Sequence, residues 1–162
     1  MLTAINIILL GTLIAVVFQD LKYRAIHVIL PIILVVVAIA RFLVLDHPVY
    51  ELFFTVLFLA LVLLGLFVYT SIKSKRIINP VDSSIGLGDI VFFIAVVPLF
   101  FSTTYILFFS TGMLFSIICH MLFTKNKEAH VPLAGYLSIY LILLFIVDFC
   151  IDKELFYTHN II

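Results

Sequence analysis

The sequence predicts an all-α protein, polytopic in a membrane, built as a bundle of six transmembrane helices. Composition is the first observation behind this. Of 162 residues, 65% are hydrophobic and only 11% charged, and the mean hydropathy is +1.37. A soluble domain has about half its residues apolar and about a quarter charged, and a disordered chain is more polar still. The second observation is punctuation: charged residues and prolines cut the apolar text into six runs. The third is that the basic residues gather in alternate connections between those runs.

The runs follow in order as 2–19, 27–45, 50–72, 89–101, 104–123 and 131–151. A span takes about 20 apolar residues, so six use roughly 120 positions. The chain reads as one integral-membrane domain over residues 1–162. The first run, Leu2 to Phe18, has no basic leader and is followed by Gln19 and Asp20. A small-residue cleavage site would mark a signal peptide, so this run is expected to be a retained helix. The second run lies between the FQDLKYRAIH segment and the turn at Asp46, His47 and Pro48, and the third follows that turn. A long connection then reads SIKSKRIINPVDSSIGLG from Ser71 to Gly88. Ile90 to Phe123 is 34 residues without a charge, too long for one span of ordinary tilt. The polar cluster Ser102, Thr103 and Thr104 is expected to turn the chain there, and Pro98 to kink or end the short helix before it. The last run begins at Val131 and Pro132, where proline suits a first helical turn.

Seven of the nine Lys and Arg residues fall in the first, third and fifth connections: Lys22, Arg24, Lys73, Lys75, Arg76, Lys125 and Lys127. Arg41 and Lys153 fall on the other side. The positive-inside rule puts the first three sets in the cytoplasm, with both termini outside. Zero formal net charge and the lack of a basic face argue against a nucleic-acid partner. Cys119 and Cys150 both lie in apolar runs and read as buried, inert thiols. His27 and His120 sit near one face without H-E-x-x-H or paired-ligand spacing. The expected site therefore holds no metal and no cofactor.

Ionisable groups inside a membrane are costly, so each acidic residue near an apolar run is a functional hypothesis. Asp46 and Glu51 read as a solvated turn, and Asp148, Asp152 and Glu154 as helix-end charges reaching interfacial water. Asp20, ending the first run, and Asp89, opening the fourth, differ: the topology puts both at the cytoplasmic face. Packing of the first helix against the fourth would let the two carboxyl groups share a proton and a water molecule. One then serves as general base and its protonated partner as general acid. Gly86 and Gly88 flank Leu87 just before Asp89, and glycine allows positive φ and close backbone approach. The competing reading of Asp89 is a helix-start residue complementing the dipole. Arg24 either pairs with Asp20 across one helical turn or binds lipid phosphate. His130 stands before Pro132 at the same cytoplasmic end, where an ordinary helix start is the alternative.

Together these residues form a constellation. Asp20, Arg24 and Ile26 read D-x-x-x-R-x-I, Gly86 to Asp89 read GxGD, and Val131, Pro132, Leu133, Ala134 and Gly135 form a late proline motif. The chain resembles the type IV prepilin peptidase family over most of its length, in size the compact, preflagellin-type members. The resemblance implies a six-helix membrane bundle and an aspartate dyad, Asp20 and Asp89, at the cytoplasmic face. Gly86, Gly88, Arg24 and Pro132 would support that active site. It implies cleavage of a short basic leader from a prepilin, pseudopilin or preflagellin substrate, after glycine and before a hydrophobic helix. Two positions depart from the family pattern: His27 and Val28 follow Ile26 where I-P-N is common, and Val91 stands where GxGDxK has lysine. No stretch matches the cysteine-rich segment of methylating members, so peptidase activity without methyltransferase activity is expected. The alternative class is a non-enzymatic membrane component, a transporter subunit or an assembly scaffold, whose aspartates bind ions or cap helices.

Overall fold

The computed structural model describes residues 1–74, 86–123 and 131–151, with side chains 74, 123 and 149–151 excepted. Lys75, Arg76, Lys125, Lys127, His130, Asp152, Lys153 and Glu154, and the side chain of Cys150, lie outside it. The helices are α1 (Leu2–Tyr23), α2 (Ile29–Val44), α3 (Val49–Ser74), α4 (Leu87–Val96), α5 (Ser102–Phe123) and α6 (Leu133–Ile151). No strand occurs among the described residues. α1, α3 and α5 are long and apolar enough to cross a membrane, while α2, α4 with its following turn, and α6 are shorter apolar helices. Large apolar side chains such as Ile14, Ile32, Phe54, Ile94, Leu114 and Ile146 face outward from all six. Water disfavours so much exposed apolar surface, whereas lipid accepts it.

Helix α2 holds the centre, packing on α1, on α4 and on the turn that follows α4. α6 packs on α1 and α5, and also touches α4. Neither α1 nor α4 has the other as a main neighbour; α2 and α6 bridge them. The core between these helices is built from Leu9 and Leu13 of α1, Leu34 of α2, Phe92 and Val96 of α4, and Leu137 and Leu141 of α6.

Local chemistry explains the breaks. α4 ends at Val96 and tightens into a 3₁₀ turn, Val97–Leu99, that contains Pro98. In that tightening the Val97 N–H turns to the Ile94 carbonyl. The Phe93 carbonyl, which a continuing α-helix would have paired with that N–H, instead accepts from the buried Tyr105 hydroxyl at 3.0 Å. The chain turns at Phe100 and Phe101, and Ser102 to Thr104 form the first turn of α5, not the turn itself.

At the end of α2, Asp46 takes a left-handed φ of 53°. Asp46 N–H donates to the Leu43 carbonyl at 3.3 Å and His47 N–H to the Phe42 carbonyl at 3.4 Å. That pair of bonds is a Schellman cap, and the Phe42 and His47 rings pack over it with centroids 5.7 Å apart.

Two side chains depart from their expected surroundings. Glu51 is buried, and its Oε2 accepts from the Ser102 backbone N–H at 3.0 Å and from the Ser102 hydroxyl. It caps the start of α5 where a solvated turn was expected. Arg41 is also buried, donating to the Asn6 side chain and lying 5.2 Å from the Phe145 ring centroid.

Candidate functional site

The first N–H groups of any α-helix lack a partner inside the helix and carry the positive end of its dipole. In α6, Leu133 N–H stays local, reaching the Val131 carbonyl at 2.8 Å, and Tyr136 N–H makes the first helical bond, to the Pro132 carbonyl at 3.2 Å. The two between them reach other helices. Ala134 N–H donates to Asp89 Oδ1 at 2.9 Å, and Gly135 N–H donates to Asp20 Oδ2 at 2.6 Å. Consecutive backbone nitrogens are at most about 3.6 Å apart, so these two carboxylate oxygens lie within about 9 Å of each other. The end of a third helix thus holds both carboxylates, with no need for α1 to pack on α4.

Asp20 lies in the last turn of α1, not after its end, and is 5% exposed. Glycine at position 135 favours this close approach, because a Cβ there would sit 3.0 Å from Asp20 Oδ2 and 3.2 Å from Asp20 Cβ and would push Asp20 back by a few tenths of an ångström. α1 closes at Arg24, whose left-handed φ of 51° turns the chain and whose N–H bonds the Asp20 carbonyl at 2.9 Å. A non-glycine residue seldom adopts that conformation. The chain then crosses toward α2, tied by a bond from His27 N–H to Gln19 Oε1 at 2.9 Å.

Asp89 occupies the first turn of α4, whose N-cap is Gly86. Its Oδ1 serves the end of α6, so the carboxylate does more than complement its own helix. Gly86 and Gly88 both keep negative φ, and the freedom expected of them is not used. Ordinary contacts surround them: a Cβ on Gly86 would lie 3.4 Å from Asp89 Oδ2, and one on Gly88 would lie 3.4 Å from Ile26 Cδ1.

A cavity of about 270 Å³ opens between these segments, lined by Asp20, Arg24, Ala25, Ile26, Gly86, Leu87, Gly88, Asp89, Val131 and Pro132. All six residues singled out from the sequence as catalytic or supporting line it. Two that carry the geometry, Ala134 and Gly135, were visible only as part of the late proline motif. Their contribution is a backbone N–H, which every residue but proline has, so residue type does not announce it. Among the described residues no group of three His, Cys, Asp or Glu side chains is placed to hold a metal ion. Chemically, the cavity offers two carboxylates on one anchoring helix end, a guanidinium at its rim and apolar walls. Compared with protein-family models, with curated proteins and with solved structures, the chain shows no significant match.

Proposed function

We propose that the chain is a membrane-embedded aspartic endopeptidase that removes the short leader of prepilin-like, pseudopilin-like or preflagellin-like substrates. Asp20 and Asp89 are its catalytic pair. The observation that carries this reading is that two carboxylates distant in sequence accept from the consecutive Ala134 and Gly135 amides and line one cavity. In the cycle, the ionised carboxylate takes a proton from water as the water oxygen attacks the scissile carbonyl. The protonated partner donates to the carbonyl oxygen. Collapse of the tetrahedral intermediate breaks the C–N bond, the amine leaves with a proton, and the two aspartates again share one. A single water bridges oxygens up to about 5.5 Å apart, so this cycle requires the two carboxylates to come within that distance.

The same reading carries a topology: six spans in the cytoplasmic membrane, both termini outside, and the cavity at the cytoplasmic face. At 1.5 Å per residue, the 16-residue α2 is about 24 Å long, short of the roughly 30 Å hydrocarbon core. Local thinning of the bilayer accommodates such a helix.

The test is cleavage of a prepilin-like substrate, with a basic leader, a glycine and a hydrophobic helix, by purified wild type beside Asp20→Asn and Asp89→Asn. The expected result is cleavage by wild type alone, with both variants inserted and folded. Normal cleavage by either variant refutes the catalytic pair. Absence of cleavage by wild type across several substrates and pH values refutes the peptidase and favours a transporter subunit or scaffold.

A further inference from the structure

A second cavity, of about 430 Å³, is lined by Gln19, Tyr23, Ala25, Ile26, His27 and Val28. Ala25 and Ile26 also line the cavity that holds the aspartates, so the two spaces lie on either side of one short stretch of backbone. An extended peptide bound at the aspartates reaches the second space by crossing that stretch.

The lining of the second cavity holds no carboxylate, lysine or arginine and is rich in donors. Gln19 Oε1 is occupied by the His27 N–H at 2.9 Å, which leaves the Gln19 amide NH₂ to donate. His27 Nδ1 accepts from the Ile29 N–H at 3.4 Å, so in the neutral ring the proton sits on Nε2. Tyr23 adds a phenolic hydroxyl, and Ala25, Ile26 and Val28 are apolar. No carboxylate lines the space. Such a wall suits the carbonyls and apolar side chains of an uncharged peptide, and it has no anion for a lysine or arginine.

Resting on the peptidase reading above, we propose that this cavity is the subsite for the uncharged substrate residues that follow the scissile bond. His27 and Val28 determine its specificity, and the basic leader lies on the other side of the aspartates. These are two of the positions at which the chain departs from the family pattern it resembles. Both side chains are exposed, so substitutions there leave the packed core alone.

The test uses the full chain in nanodiscs and a panel of prepilin-like substrates. Each carries one Lys, Glu or Ala at a single position, either among the first residues after the scissile bond or within the leader. Wild type is expected to cleave the Lys substrates after the bond at least tenfold less efficiently, in kcat/KM, than the Ala substrates. His27→Glu, and separately Val28→Glu, are expected to raise the Lys-to-Ala ratio at those positions at least tenfold and to lower the Glu-to-Ala ratio. Leader-position ratios stay constant. The inference is overturned if wild type cleaves the panel and neither variant changes the ratios after the bond, or if the change falls in the leader. Reading ratios within each variant separates specificity from a general loss of activity. Failure of wild type to cleave any substrate removes the peptidase reading and this inference with it.

Discussion

Replacing Gly135 with alanine tests whether the end of α6 sets the position of Asp20. The new Cβ would lie 3.0 Å from Asp20 Oδ2, 3.2 Å from its Cβ and 3.5 Å from its Cγ, where non-bonded carbon contacts settle at about 3.5–4.0 Å. Asp20 cannot yield at one atom only, since both its carboxylate and its Cβ are crowded. A withdrawal of a few tenths of an ångström lengthens the 2.6 Å bond from the Gly135 N–H toward about 3 Å, which weakens it without breaking it. Hydrogen bonds to charged groups contribute about 1.5–3 kcal/mol, and each 1.36 kcal/mol is tenfold in rate. Complete loss of the bond would correspond to about 10- to 150-fold, so on the peptidase reading kcat/KM is expected to fall about 3- to 10-fold, while α6 survives because alanine is the better helix former by about 1 kcal/mol. The assay is substrate cleavage, with thermal unfolding beside it to establish that the variant is folded. Gly65→Ala is the control: nothing lies within 4 Å of a Cβ there, and activity is expected to be unchanged. A folded Gly135→Ala protein that cleaves at the wild-type rate refutes the argument that this amide positions Asp20.

Two further predictions concern stability and are read by thermal or denaturant unfolding in a fixed detergent. Asp46→Gly relieves a left-handed residue in the Schellman cap of α2 and is expected to stabilise by about 0.5–1 kcal/mol; a fall in the midpoint would contradict the cap assignment. Tyr105→Phe removes the hydroxyl that serves the Phe93 carbonyl, leaving a buried acceptor unpaired at a cost of about 1–3 kcal/mol. No measurable loss would mean that this carbonyl finds another donor.

Much of the helix pattern was legible because its signals are coarse. Apolar runs broken by charge and proline correspond to six α-helices among the described residues, and the fourth stops at Val96, five residues short of the expected end, where the chain tightens into the turn that holds Pro98. Asp20 and Asp89 stood out because the alternation of basic connections puts both at one expected membrane face, whereas the other acidic residues beside the runs read as turn or helix-end charges. What escaped the sequence depends on pairs far apart. Glu51 looks solvated beside His47 and Pro48 until Ser102, 51 positions away, comes to donate to it. Gly86 and Gly88, just before Asp89, could have taken positive φ, yet among the described residues it occurs at Arg24 and Asp46. Those two residues end helices, and there hydrogen bonding to the last carbonyls outweighs the modest cost of the conformation.

The anchoring of both aspartates on one helix end changes what controls the site. Had the pair formed by direct contact of α1 with α4, its spacing would depend on side chains between those helices. Here each carboxylate answers to its own amide, and the amides are neighbours in one rigid turn. Separating the aspartates beyond the limit therefore requires breaking at least one of these bonds. A small displacement of the α6 start acts on both donors at once. The amides of Ala134 and Gly135 thus bound the separation of Asp20 and Asp89 although neither residue carries an ionisable side chain. On the peptidase reading, substitutions in that segment alter kcat through the spacing of the carboxylates. Substitutions in the second cavity alter the ranking of substrates. The two sets of variants are therefore separable in the same assay.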